Sequence, residues 1–134
     1  MTEYPVKIWI AFAEAVGGNK DFNTWLLKNG FPELSALDHS IKVSDKAFDW
    51  LVKNGFPHFA AFSRAIYEEK QPYEWLKKHN FSLLVRLTDA INYKQEELER
   101  LKKEIPLFYM VALKIQVVRD SRLRDIQDYH KFKL

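Results

Sequence analysis

Lys28, Lys53, Lys78 and Lys103 stand 25 residues apart. A row of cations at fixed spacing can track a phosphate backbone or meet an acidic protein surface. Trp25, Trp50 and Trp75 keep the same interval. Large rings at regular spacing can stack on bases or grip a partner's apolar side chains. Both features also have local explanations. A lysine in the last turn of a helix stabilises the helix C-terminus by roughly 0.3–1 kcal/mol. Each Trp is followed by Leu and preceded, two or three residues back, by Phe or Tyr, which suits a packed core. We therefore expect Trp25, Trp50 and Trp75, with Phe31, Phe56 and Phe81, to form a structural core. The four lysines are the candidate binding edge.

Other chemistry finds little support. The chain has no Cys, which removes disulfides, thiolate metal sites and cysteine nucleophiles together. His39, His58, His79 and His130 share no metal spacing such as HExxH. His39 follows Asp38, but adjacent positions on a helix point about 100° apart. Gly17-Gly18-Asn19-Lys20 lacks the strand and further glycines of a phosphate loop, and no G-x-S-x-G elbow occurs. The expectation is a non-enzyme with no cofactor and no metal.

The elements that hold these residues form an internal repeat. WLLKNGFPELSALDHSI (25–41), WLVKNGFPHFAAFSRAI (50–66) and WLKKHNFSLLVRLTDAI (75–91) align without a gap. A fixed period of roughly 20–50 residues means stacked supersecondary units. In the second copy Ser44 is a good N-cap, Asp45 and Lys53 suit the two helix ends, and Gly55 supplies a left-handed closing residue. Pro57 then opens a second helix. Phe59, Phe62 and Ile66 fall on one stripe of it. Each unit is therefore two short helices joined by a sharp turn. The third copy replaces the turn glycine by Asn80, the next best left-handed residue, and its first helix is expected to open at Gln71-Pro72.

The phase runs past the three copies. Trp9, Leu34, Phe59 and Leu84 share a position, as do Phe12, Leu37, Phe62 and Leu87, and Val16, Ile41, Ile66 and Ile91. Leu101 keeps the phase of Leu26, Leu51 and Leu76, while the turn glycine becomes Ile105. The pattern predicts about nine helices: roughly 5–16, 20–29, 32–42, 45–54, 57–68, 72–79, 82–92, 94–104 and 106–129. The fold class is all-α, a short right-handed-type α-solenoid with a long C-terminal helix. It reads as one domain over 1–134: a degenerate half-repeat at 4–18, repeats at about 19–43, 44–69 and 70–93, and a degenerate terminal unit at 94–134. The period is shorter than that of tetratricopeptide, ankyrin or armadillo repeats, so the resemblance is to helical repeats as an architecture.

Leu107–Leu113 is apolar all round. Such a stretch is either swallowed by the concave side of the stack or shared with a second chain. The second option makes Phe108, Tyr109, Val111 and Ala112 candidate homodimer contacts. Residues 1–99 carry twelve Lys/Arg against fourteen Asp/Glu, and residues 100–134 carry nine against four. The excess makes Arg119, Arg122 and Arg124, with Lys131 and Lys133, a candidate basic tail. Glu96, Glu97 and Glu99 with Arg100, Lys102 and Lys103 read as a solvated helix ordered for its dipole. The longest apolar run, Ile105–Val118, contains Lys114 and Gln116, and a membrane span needs about 20 residues. No signal peptide is read at the N-terminus, so the expectation is a cytoplasmic protein without membrane contact. The leading functional expectation is a protein or peptide interaction module or scaffold. The alternative is nucleic-acid binding through the lysine row and the basic C-terminal helix.

Overall fold

A computed structural model describes residues 4–132 of the chain, and the side chains of residues 4–127. Among the described residues there are nine helices and no strand. They are α1 (Val6–Val16), α2 (Lys20–Lys28), α3 (Pro32–Ile41), α4 (Asp45–Lys53), α5 (Pro57–Ala65), α6 (Lys70–Lys78), α7 (Ser82–Ile91), α8 (Gln95–Glu104) and α9 (Pro106–Phe132).

The punctuation of the sequence sets these bounds. Ser44 accepts a hydrogen bond from the Ala47 amide and Asn19 from the Asp21 amide, each satisfying a first-turn donor that has no intrahelical partner. Pro32 and Pro57 open α3 and α5. One start differs from expectation. α6 begins at Lys70, so Pro72 sits inside its first turn rather than at its opening. A first-turn amide has no helical acceptor, so proline costs little there.

Two turn types alternate, and both leave the helix through a left-handed residue. After α2, α4 and α6 that residue is Gly30, Gly55 or Asn80. The next amide bonds back to the last full turn: Phe31 to Leu26, Phe56 to Leu51 and Phe81 to Leu76. This is the Schellman closure. After α1, α3, α5 and α7 the left-handed residue is Gly18, Val43, Glu68 or Tyr93.

The helices divide by burial. α2, α4, α6 and α8 are outer helices that bury little beyond Leu26, Leu51, Leu76 and Leu101, each at 0% exposure. α1, α3, α5, α7 and α9 are inner helices and carry most of the core, including Phe12, Leu34, Leu37, Phe59, Phe62, Leu84, Leu87 and Val111. Each outer helix packs on the inner helices before and after it. The inner helices touch in the order α1, α3, α5, α7, α9, and α9 returns to pack on α1. The last inner helix keeps the pattern one residue early, burying Phe108, Val111 and Ile115 where a strict period would bury 109, 112 and 116, of which Ala112 alone is also buried. The turn before it is shorter, with only Ile105 between α8 and α9.

Candidate interaction surface

The lysine row survives as a surface feature. Lys28, Lys53, Lys78 and Lys103 are exposed, and each lies in the last turn of an outer helix. None forms an ion pair or donates a hydrogen bond among the described residues. The C-terminal carbonyls they were expected to cap are partly taken by other groups. Asn29 and Asn54 donate their side-chain N–H to the Trp25 and Trp50 carbonyls at 2.8 Å. The backbone amides of Asn29, Asn54 and His79 bond to the same tryptophan position at 3.0 Å. The ammonium groups are left to solvent and to whatever approaches that edge.

The tryptophans do not fill the centre of the core: Trp50 and Trp75 pack against it from its margin. Trp25 is 42% exposed, while its neighbour Leu26 is fully buried. Trp50 and Trp75 are half-buried, as are Phe31, Phe56 and Phe81. Consecutive helix positions are about 100° apart, so only one of a Trp-Leu pair can point straight inward. The compact leucine takes that place, and the ring lies across the edge beside it. Trp50 stacks on Phe56, His58 on Phe81 at 4.8 Å, and Trp75 on Phe81 at 5.7 Å. Phe56 and His58 are in tilted contact, so the rings form a continuous band from the second repeat to the third. The first unit ends in Tyr4 against Phe31. Aromatic band and lysine row thus occupy one edge, where outer helices turn into inner ones; we call this the turn edge.

The opposite, loop edge is where inner helices end. α9 overturns two expectations. Phe108, Val111 and Ala112 are buried within the chain, and only Tyr109 of the four candidate dimer contacts is half-exposed. Trp9 of α1 meets Phe108 edge-on at 5.1 Å. The face of the stretch that carries Phe108, Val111 and Ala112 is swallowed by the chain's own helices, while Tyr109, Met110 and Leu113 stay half-exposed. Arg119 is likewise not part of an exposed tail, being 3% exposed. Its Nη1 donates to the Ile66 carbonyl at 2.8 Å and to Asn92 Oδ1 at 2.6 Å, and its Nη2 donates to the Ile91 carbonyl at 2.8 Å. Nε pairs with Asp120 at 2.8 Å. A guanidinium offers five N–H donors in a planar fork, and here they close the C-termini of α5 and α7. Arg122 and Arg124 remain exposed. Arg122 lines a cleft of about 490 Å³ with Lys20, His39 and Lys42. Lys133 lies outside the described residues, and His130 and Lys131 lie outside the described side chains.

Arg119 belongs to a series that sequence reading missed. Lys42 Nζ donates to the Ala15 carbonyl at 2.9 Å, the Tyr67 hydroxyl to Ile41 at 2.7 Å, and Asn92 Nδ2 to Ala65 at 3.2 Å. Each residue just past one inner helix therefore caps the end of the inner helix before it. At α9 the same phase falls on Val117, which has no donor, and Gln116 and Arg119 take over. Phase is the only signal in the sequence, because Lys, Tyr and Asn share no pattern beyond carrying a donor. Burial pushes the Tyr67 hydroxyl above its usual pKa, with Arg122 and Arg119 opposing.

α8 is less solvated than its composition suggests. Glu97 is buried between Arg86 of α7 and Arg100. The Glu97 and Glu104 carboxylates raise the Arg86 pKa, Glu97 most. Asp38 is buried, 2.6 Å from Asn23 Nδ2 and 2.8 Å from Lys42 Nζ, while His39 beside it is exposed. Among the described residues no group of three His, Cys, Asp or Glu is placed to hold a metal ion, and no helix is long and apolar enough to cross a membrane.

No protein-family model, curated protein or solved structure matches the chain.

Proposed function

We propose that this chain is a non-enzymatic interaction module, a short α-solenoid that binds an acidic protein or peptide along its turn edge. One observation carries the reading. Four lysines at one repeat position are exposed and, among the described residues, unpaired, on the same edge as tryptophans that the core covers only in part. Basic side chains steer an acidic partner, and half-exposed aromatic rings give it apolar anchorage. A repeat array can vary such side chains without disturbing the residues that stack it.

The same edge also has the ingredients of single-strand recognition, cations alternating with rings. The basic tail cannot extend it. Arg119 is buried at the loop edge, one inner helix away, or roughly 15 Å at 1.5 Å per residue. The protein reading is therefore preferred.

The test is capture from native lysate by tagged wild-type protein and by a Lys28→Gln/Lys53→Gln/Lys78→Gln variant, each with and without nuclease. A partner held by wild type, lost by the variant and indifferent to nuclease supports the proposal. Retention by the variant overturns it. Partners lost with nuclease, together with a salt-dependent gel shift on a single-stranded oligonucleotide, give the edge to nucleic acid instead.

A further inference from the structure

The inner helices touch in a closed order, which creates five seams: α1/α3, α3/α5, α5/α7, α7/α9 and α9/α1. Four are straddled by an outer helix. α2 packs on α1 and α3, α4 on α3 and α5, α6 on α5 and α7, and α8 on α7 and α9. Among the described residues nothing straddles α9/α1.

The bare seam is apolar. Val6 and Ile10 lie on the outward stripe of α1 at 60% and 45% exposure, and Gly17 continues that stripe. Gly17 also lines a groove of about 510 Å³ with Met110, Leu113 and Val117 of α9, and Val117 is 67% exposed. In the interior repeats the positions of Val6 and Ile10 are held by Phe31 and Ser35, or Phe56 and Ala60. There Ser35 and Ala60 are buried, and Ser35 bonds to Asn23 of the outer helix before it. The residues exposed on α1 thus match positions that an outer helix covers elsewhere. Exposed Lys114 borders the seam, its chain near Gly17, while exposed Lys7 lies on the α2-facing side of α1.

We infer that the α9/α1 seam is a docking site for one amphipathic helix of a partner protein. The occupant is about nine residues long, like α2, α4 and α6. It presents a leucine beside an aromatic residue to the seam and a carboxylate to Lys114. Helix-in-groove recognition of this kind reads apolar anchors spaced along one helix face. No outer helix of a second copy is free to be the occupant. Its four outer helices already bury Leu26, Leu51, Leu76 and Leu101 in their own units. This site is separate from the lysine edge, and it goes beyond the function proposed above.

The probe is a labelled peptide of residues 44–56, SDKAFDWLVKNGF, held helical by a staple across outward positions, because so short a helix is marginal alone. Fluorescence anisotropy should show saturable binding to the full chain. An Ile10→Glu/Val117→Glu protein should bind at least tenfold more weakly with an unchanged urea midpoint, since both side chains are exposed. A peptide carrying Leu51→Asp should not bind. Equal affinity for wild-type and variant protein overturns the inference, as does no binding up to on the order of 1 mM. Sedimentation is the third arm: a concentration-dependent dimer that the double variant abolishes assigns the seam to self-association and overturns it too. All arms retain Lys28, Lys53 and Lys78, so failure here is distinct from failure of the turn-edge reading.

Discussion

At the turn edge the left-handed positions hold Gly30, Gly55 and Asn80; at the loop edge they hold Gly18, Val43, Glu68 and Tyr93. The two kinds of loop bend the backbone alike, yet only the first uses residues for which that bend is easy throughout; the loop edge does so at Gly18 and not at Val43, Glu68 or Tyr93. The difference follows what else each edge must do. At the turn edge local chemistry closes the helix, through glycine or asparagine and the side chains of Asn29 and Asn54. Its lysines and half of its aromatic surface are left unspent. At the loop edge the closure is tertiary. Lys42, Tyr67, Asn92, Gln116 and Arg119 reach across to the preceding inner helix. One edge is locally determined and free to meet a partner. The other is held together by long-range hydrogen bonds and strained at single residues.

The largest break of this comparison is at Arg119. Arg119→Met removes donors from two helix ends, takes the guanidinium bond from the Ile66 carbonyl and leaves the Ile91 carbonyl with Gln116 alone. It should cost about 3 kcal/mol in urea denaturation, given roughly 1–3 kcal/mol for each buried group left unpaired. Arg122→Ala, three residues on and exposed, should stay within about 0.5 kcal/mol. Equal effects would show that α9 does not close the loop edge.

Next in size is the Trp-Leu pair. Leu26→Ala should cost about 3 kcal/mol, since it opens a cavity at a fully buried site. Trp25→Ala removes a larger side chain and should nevertheless cost less, about 1 kcal/mol, because much of the ring already faces water. The reverse order would restore tryptophan to the core.

This pair also shows what the sequence could reveal. The helix bounds were readable because Gly, Pro, Asn and Ser mark them by local backbone chemistry, and the period repeated the message. Which of Trp25 and Leu26 points inward was not readable from the repeat alone, since both recur in every copy. Size argued for tryptophan, and packing chose leucine. The loop-edge ties were hidden for a different reason. A capping donor needs only an N–H or O–H at the right place, so Lys42, Tyr67 and Asn92 do one task with three chemistries. Arg119 looked like surface because its partners, the Ile66 and Ile91 carbonyls, are backbone atoms that no residue type announces. The lysine row was legible in position, and the structure adds that no ion pair among the described residues consumes it.

Smaller effects should have opposite signs at the two edges. Gly55→Ala places a Cβ on a residue at φ 87° and should destabilise by about 1 kcal/mol. Val43→Gly removes a β-branched side chain from φ 70°, where it is exposed and packs little, and should stabilise by about 0.5–1 kcal/mol. Chemical denaturation of the two variants side by side reads the sign directly. If Val43→Gly destabilises, the loop edge uses the valine side chain for more than its backbone cost.

The smallest effect carries a pH signature. Tyr67 donates its hydroxyl proton to the Ile41 carbonyl, so Tyr67→Phe should cost about 0.5–1 kcal/mol near neutral pH. Burial raises its pKa in the folded state, the desolvation outweighing Arg122 and Arg119. Above the usual tyrosine value near 10, the unfolded chain therefore loses this proton before the folded chain does. Stability contributed by the neutral phenol is complete below that pH and drains away as pH rises through the folded value. Wild type should lose stability above about pH 10 more steeply than Tyr67→Phe, so the gap between them should narrow. Two parallel curves would mean that the hydroxyl is not held at the end of α3, and the loop edge would then lack one of its ties.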